Sequence, residues 1–595
     1  MRRNKGNIRK LWDEDPKRLQ CRDRKRAIVL TTIILFSFFV IFLRLLNLMV
    51  FKHAALHEKA KQQYSKTVTL IPQRGLILDR TMKEMAINIE TDSLYAVPSQ
   101  VRDIYSLSRE LAPLIKVSAE SINSKLSTEK GRGFVWLMRK MPQETSREVS
   151  ALKERLRLKG IGLMIEPKRY YPKGQLASHI LGFTDIDNKG LEGIELKYDD
   201  YMKGERKKVS ISRDARGVDL YQGIEDGISG NSLLLTIDEG LQYIVEREIE
   251  KAMLRWKAEA VVAVMMNPKT GEILAMANRP GYDPNLPAEA HPDERRNRAI
   301  TDLYEPGSTF KAITAAAALE EGMVSPEERF DCSKGFINVP GSKPIRDALR
   351  HGVLTFKECI QKSSNVCLVQ VGRRLGEDKF YKYMKRFGFG EKTEIDLPGE
   401  VRGLLRDTKN WSERSRASLS IGQEIGVTPL QLLRAYAAIA NGGKLMRPYI
   451  VSEIIAPGGE VLERFYPKIE RRVISEETAN IMREILKTVT EEGGTAQKAS
   501  IKGNLVAGKT GTAQMIDPKT GRYSLTDYVS SFVGFVPAQD PEIALIVVVY
   551  KPRGATYGGT VAAPVFNGIV EHTLTYLNIP HERDENHVIL VSKSR

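Results

Sequence analysis

Cysteine is scarce in this chain, with four residues in 595. Cys21 precedes the long apolar run near the N-terminus, which leaves Cys332, Cys359 and Cys367 after it. Three cysteines allow at most one bridge, so a disulfide scaffold is excluded. Cys359 and Cys367 lie in apolar-periodic sequence and read as buried thiols. Histidine is also sparse, with 8 residues and none paired at ligand spacing near the cysteines. No metal site and no cofactor are expected on these grounds. No His or Asp stands where a Ser-His-Asp triad would need it.

The length exceeds what one hydrophobic core fills, so roughly two or three folded units are expected. The net charge is +17. Its basic residues are spread along the chain apart from a dense N-terminal block, which argues against a nucleic-acid binder, and an exported protein beside anionic surfaces tolerates such a charge. Residues 1–26 form a basic tail, ending Arg22-Asp23-Arg24-Lys25-Arg26. Ala27 to Leu43 then carries no charge. That run makes about 25 Å of helix, and continuing past Arg44 to Val50 makes about 36 Å, enough for a bilayer if Arg44 snorkels. A small-x-small cleavage site does not follow, so residues 27–50 read as an uncleaved anchor rather than a signal peptide. The positive flank keeps the N-terminus cytoplasmic and places the bulk of the chain outside the cytoplasmic membrane.

Lys52 to Ser65 reads as a polar helical stalk. Residues 51–230 read as a non-catalytic α+β pedestal. It contains Arg74-Gly75-Leu76-Ile77-Leu78-Asp79-Arg80, Arg169-Tyr170-Tyr171-Pro172-Lys173-Gly174 and Gly190-Leu191-Glu192-Gly193-Ile194-Glu195. Within it, His179 reads as a packing histidine. Glu192 and Glu195 read as capping or ion-pair residues rather than a glycosidase carboxylate pair. Residues 231–580 read as a second unit, and 581–595 as a C-terminal tail. In that unit a strand at Leu233–Asp238 precedes an amphipathic helix with Leu241, Ile244, Val245, Ile249, Met253 and Leu254 on its apolar face. A hairpin follows, with Asn267-Pro268-Lys269-Thr270-Gly271 between two buried strands. Val529–Val536 and Ile543–Tyr550 read as two further buried strands. The pattern describes an antiparallel sheet flanked by helices.

Glu305-Pro306-Gly307-Ser308-Thr309-Phe310-Lys311 leads into an alanine-rich helix. Ser308 and Lys311 lie one turn apart on one face, so the amine can take the hydroxyl proton. Ser363-Ser364-Asn365 and Lys509-Thr510-Gly511-Thr512 follow in the chain. Together these describe acyl transfer. Ser308 attacks a carbonyl and Lys311 is its base. Lys509 holds a substrate carboxylate and depresses Lys311 by like-charge repulsion. Ser363 relays a proton to the leaving amine, and Asn365 holds the substrate amide. Thr510, Gly511 and Thr512 form a strand at the site edge, where Gly511 lets a substrate backbone pair closely. The amides of Ser308 and Thr512 are the oxyanion donors.

Ser-x-x-Lys, Ser-x-Asn and Lys-Thr-Gly in this order are the trio of the penicillin-recognising serine acyl-transferases. With the Arg74–Arg80 and Arg169–Glu195 stretches, the chain after its anchor resembles the class B penicillin-binding proteins. That resemblance implies a penicillin-binding-type transpeptidase domain on an elongated pedestal and D,D-transpeptidation of peptidoglycan stem peptides. It also implies acylation of Ser308 by β-lactams. No stretch resembles a glycosyltransferase domain. Within class B the chain looks most like the septal, FtsI-like type, on Gly190–Glu195 with Tyr198-Asp199, Ile421-Gly422-Gln423 with Val427–Gln431, and Tyr557–Phe566. Glu424 stands where the family often has glycine. Elongation-type and sporulation-type relatives share much of the pattern. The septal resemblance implies an FtsW-like glycosyltransferase partner and the division machinery. A membrane-anchored scaffold with an inert site is the non-enzymatic alternative, although Ser308, Lys311 and Lys509 are all present.

Overall fold

The computed structural model describes residues 16–70, 72–129, 133–205, 207–213, 219–220, 229–517 and 519–580. The first 15 residues of the basic tail, the Cys21 side chain and the expected tail at 581–595 lie outside the described residues. Met1–Leu70 and Arg206–Ile224 form one unit, and Ile71–Glu205 with Glu225–Arg595 forms the other.

In the first unit the helix Pro16–Leu46 continues through a π-helical turn at Asn47–Phe51. Asp23–Phe51 is long and apolar enough to cross a membrane. Two of its three hydroxyls bond within the helix: Thr32 Oγ1 donates to Ile28 O and Ser37 Oγ to Ile33 O. Hydrocarbon supplies no such partner, so internal satisfaction suits a lipid-facing helix. The stalk forms as a helix at His53–Tyr64. A small antiparallel sheet follows, pairing Ser65–Leu70 with Lys207–Arg213 and that strand with Asp219–Leu220. The sequence reading did not see this sheet, because its first strand lies more than a hundred residues from the other two in the chain.

In the second unit a catalytic-side sheet has five strands, all antiparallel. Their order is Ile273–Arg279, Ala260–Met266, Ile543–Tyr550, Tyr523–Val536 and Ala507–Ile516. The expected hairpin is present, its turn closed by the Asn267 side chain accepting from the Lys269 and Thr270 amides. Ala260–Met266 and Ile543–Tyr550, at the middle of the sheet, are continuous apolar runs because helices cover both faces. Pro429–Ala440 packs on the sheet with all twelve residues buried. Glu239–Trp256 and Ala563–Leu577 pack against each other and against the sheet. Leu241, Val245 and Ile249 face the core as expected, whereas Leu254 is 70% exposed. Five positions beyond Ile249, it is rotated about 140° off the buried stripe.

The pedestal part joins this body through one seven-stranded sheet. Glu84–Ala96 pairs along its length with Ile161–Tyr170, and its far end with Val135–Met138. Ile77–Leu78 runs parallel to Ser232–Leu235, which pairs in turn with Val451–Ile455. Asp79 caps the Glu239–Trp256 helix by accepting from the Glu239 amide at 3.0 Å. Beside this seam, Glu195 is fully buried between two arginines. Arg74 Nε donates to it at 2.5 Å, Arg169 Nε at 2.6 Å and the Tyr171 hydroxyl at 3.2 Å. Arg74 also reaches Asp199 at 2.6 Å. Glu195 is thus the ion-pair residue expected, and Glu192 lies at the surface 3.9 Å from Arg295. His179 is packed edge-on against Tyr282 and bonds Glu294 O at 2.7 Å. Burial lowers its pKa to about 4, so it stays a neutral packing residue. Cys332, Cys359 and Cys367 are buried free thiols.

Removing Glu195 leaves two guanidinium groups buried without their shared partner. Glu195→Ala is expected to cost about 3–5 kcal/mol in chemical denaturation, far more than a surface ion pair. A loss under about 1 kcal/mol would show that the cluster does not brace this seam.

Candidate active site

Pro306 and Gly307 turn the chain into a 3₁₀ turn, Gly307–Phe310, and an α-helix, Lys311–Glu320. In a 3₁₀ turn residues three apart eclipse one another, which brings Ser308 and Lys311 to one side more closely than an α-helix would. Gly307 has φ +55°, and its amide donates to Gly422 O at 2.9 Å. Tyr436, from the buried Pro429–Ala440 helix, donates its hydroxyl to Thr309 O at 2.6 Å. The nucleophile turn is therefore held from beneath and from one side.

Lys311 has no exposed surface. Its Nζ donates to Ser363 O at 2.6 Å and to Ser363 Oγ at 3.2 Å. Among the described residues Ser308 is not one of its hydrogen-bond partners. Burial lowers the Lys311 pKa to about 8, while the Asp347 carboxylate pulls it back up. Lys509, equally buried, is driven well down by desolvation and then by Lys311. Two buried ammonium groups repel, so the pair favours a state with one amine neutral. The expectation that Lys509 is what depresses Lys311 is corrected here: burial lowers Lys311, and the repulsion between the two lowers Lys509 instead. Lys509 Nζ approaches Thr510 Oγ1 at 3.5 Å.

Ser363 adopts φ +60°, a left-handed conformation that costs a non-glycine residue about 1 kcal/mol or more. Asp347 holds this turn. Its carboxylate accepts from Ser364 Oγ at 2.8 Å, from the Val366 amide at 3.0 Å and from the Asn365 amide. These contacts cap the Asn365–Leu375 helix. Asn365 Nδ2 donates to Arg346 O at 2.6 Å. Asp347 carries no motif around it, so the sequence reading missed it. Thr495 was missed too, although Gly493-Gly494 before it signals a turn. Its Oγ1 meets Thr510 Oγ1 at 3.0 Å.

Lys509, Thr510, Gly511 and Thr512 lie on the edge strand Ala507–Ile516, bonded on one side to Tyr523–Val536. Packing within the protein gives its own reason for glycine at 511. A Cβ there would sit 2.9 Å from Pro306 O and from Thr309 Cγ2, and on Ser531 Oγ. Gly511 thus admits the nucleophile turn itself. Glu424, at the position where glycine is common, has φ +64°. The left-handed backbone explains the glycine, and Glu424 is accommodated by accepting from Ser415 Oγ at 2.7 Å and from Arg406. Its amide donates to Glu305 at 2.9 Å, just before the nucleophile turn.

Ser308, Ser363, Asn365, Thr510 and Thr512 all line one cleft of about 820 Å³. Lys311 and Lys509 lie beneath its surface. The seven polar side chains expected of the site and Gly511 are thus assembled at one place. Gly511→Ala is expected to destabilise the protein by about 1–3 kcal/mol through overpacking, read by chemical denaturation. An unchanged midpoint would mean that the turn moves aside freely.

The family model "Penicillin binding protein transpeptidase domain" matches residues 261–571, and "Penicillin-binding Protein dimerisation domain" matches residues 69–235. The chain is 39% identical to Stage V sporulation protein D of Bacillus subtilis, over 88% of this chain and 82% of that protein. It is 34% identical to Peptidoglycan D,D-transpeptidase FtsI of Escherichia coli, over 85% of this chain and 84% of that protein. The crystal structure of Penicillin binding protein 3 from Mycobacterium tuberculosis complexed with aztreonam superposes with a TM-score of 0.66 at 28% identity. It covers 86% of this chain and 98% of that one. With both domain models matched in order and the serine and lysine motifs in one cleft, this chain belongs to the class B penicillin-binding proteins, the serine-type transpeptidases that carry a dimerisation domain before the catalytic one.

Proposed function

We propose that this protein is a membrane-anchored D,D-transpeptidase that cross-links peptidoglycan stem peptides through an acyl-enzyme on Ser308. The observation that carries this reading is the fully buried Lys311 amine, its pKa near 8, bonded to Ser363 beside the cleft that Ser308 lines. A neutral amine there takes the Ser308 proton as the serine attacks the penultimate D-Ala carbonyl. Ser363 passes that proton to the departing D-Ala amine. Asn365 holds the donor amide, and Lys509, Thr510 and Thr512 receive the C-terminal carboxylate. The edge strand is open on one side for strand addition by the donor peptide. The Ser308 and Thr512 amides receive the oxyanion. An acceptor amine then attacks the ester and releases Ser308. β-Lactams acylate the same serine as mimics of D-Ala-D-Ala.

Residues 1–26 lie on the cytoplasmic side, 27–50 span the membrane, 51–230 form the pedestal and 231–580 the catalytic unit. The +17 charge and the basic block before the anchor support this orientation. The septal role, with an FtsW-like glycosyltransferase and division proteins as partners, is supported by the likeness to FtsI. A sporulation role is the second reading, favoured by the 39% identity to a stage V sporulation protein. Depletion during growth and during spore formation separates the two: a filamentation phenotype sinks the second, and a cortex defect alone sinks the first.

Intact mass of the detergent-solubilised chain after benzylpenicillin is expected to show one adduct, absent in Ser308→Ala. An adduct on both proteins would place the nucleophile elsewhere. Because Lys311 must be neutral to act as base, the acylation rate is expected to rise with pH and level off above about 8. A rate that falls as pH rises toward 8 would remove Lys311 from that role.

A further inference from the structure

A second cavity lies in the same unit and shares no lining residue with the cleft of Ser308. Its volume is about 630 Å³, the size of a small-ligand site. Lys197 and Tyr198 come to it from the pedestal, and the other walls come from three catalytic-side stretches around Asp396, Pro448 and Tyr466.

The walls are fixed, and their carboxylates already have partners. Asp396 accepts from the Ile450 and Val451 amides, each at 2.8 Å, and from the Tyr198 hydroxyl at 3.0 Å. Glu400 accepts from the Thr393 amide and hydroxyl, both at 2.6 Å, and from the Glu394 amide at 3.1 Å. It thereby holds Glu394 in a left-handed conformation, φ +60°. Glu394 lies 3.8 Å from Arg447, whose amide donates to Lys468 O at 2.9 Å and whose Nε donates to Glu394 O at 3.1 Å. The lysines are in the opposite state. Lys197, Lys392 and Lys468 are exposed, and none of them forms an ion pair among the described residues. Tyr466, 71% exposed, gives the same cavity an apolar wall.

Three free ammonium groups from three separate segments, around one cavity, attract several anionic groups placed close together. An ammonium is a compact point charge that suits phosphate, whereas a carboxylate is met best by the planar fork of arginine, and Arg447 is engaged with Glu394. The amides of Thr393, Glu394, Arg447, Ile450 and Val451 are all bonded already, so an extended peptide finds none of them to pair with. A muramyl glycan carries one carboxylate per disaccharide and brings too few charges for these lysines. A polyol-phosphate chain brings a charge with each repeat, and its carbon backbone can lie against Tyr466.

We propose that this cavity is a binding site for an anionic polyol-phosphate polymer, held by Lys197, Lys392 and Lys468. The site is separate from the transpeptidase cleft and does not rest on the Ser308 chemistry.

The test uses the full chain in a nonionic detergent, a short synthetic poly(glycerol phosphate) as probe and calorimetric titration as readout. Glycerophosphoglycerol, the single-phosphate headgroup of an anionic lipid, and a peptide-free muramyl glycan are titrated beside it. The polymer is expected to bind at least about tenfold more tightly than either, with its affinity falling as salt rises. Lys197→Gln with Lys392→Gln and Lys468→Gln is expected to weaken it about tenfold, while the triple arginine variant retains binding. Lys116→Gln with Lys125→Gln and Lys159→Gln removes the same charge from exposed lysines elsewhere on the pedestal and is expected to leave binding unchanged. Equal losses in the two glutamine variants would mean diffuse attraction to a basic protein and would overturn the proposal. Absence of binding to the wild type overturns it as well, and so does a headgroup or glycan that binds as tightly as the polymer.

Discussion

The site depends on one costly placement: a lysine amine with no access to water. Lys311 sits at the start of a helix whose other residues up to Ala318 are also buried. Water cannot solvate its charge there, so the amine loses its proton more readily. The surroundings stop short of leaving it unsupported. Ser363 accepts from it twice, and Asp347 pulls its pKa back up. Asp347 also fixes the left-handed turn that presents Ser363. One carboxylate therefore sets both the shape and the electrostatics of the base.

The second requirement is close approach of backbones. The nucleophile turn touches the edge strand at Gly511, and Gly558 packs over Gly511 in turn. Gly422 lies against Gly307 O. A side chain at any of these positions would separate segments that carry the serine, the strand and the loop around Glu424. Behind them the Pro429–Ala440 helix reaches through Tyr436 to the turn itself. The geometry is held by packing on all sides, as a site of this kind needs.

Distant motifs serve the same body. Arg74, Arg169, Tyr171 and Glu195 come from three separate stretches and meet in one buried cluster. Asp79 caps the first long helix of the catalytic side. Pedestal and catalytic segments share one sheet through Ile77–Leu78 and Ser232–Leu235. These motif residues are structural, joining two segments that the sequence reading treated as separate units.

The sequence by itself determined the long apolar N-terminal helix, the hairpin, the buried strands and the ordered serine and lysine motifs. These are local signals: charge-free length, short apolar runs, turn residues and fixed short spacings survive without knowledge of the fold. It could not show Asp347 or Thr495, because a carboxylate that caps a turn eighteen residues away leaves no local pattern. It could not show that Gly511 also makes room for Ser531, Pro306 and Thr309. It credited Lys509 with depressing Lys311, whereas burial does so and the repulsion lowers Lys509. It counted Leu254 with the core of its helix and missed the Ser65–Leu70 sheet. Only the tertiary structure decides such matters, because desolvation, steric exclusion and pairing between distant strands arise from neighbours in space rather than in the chain.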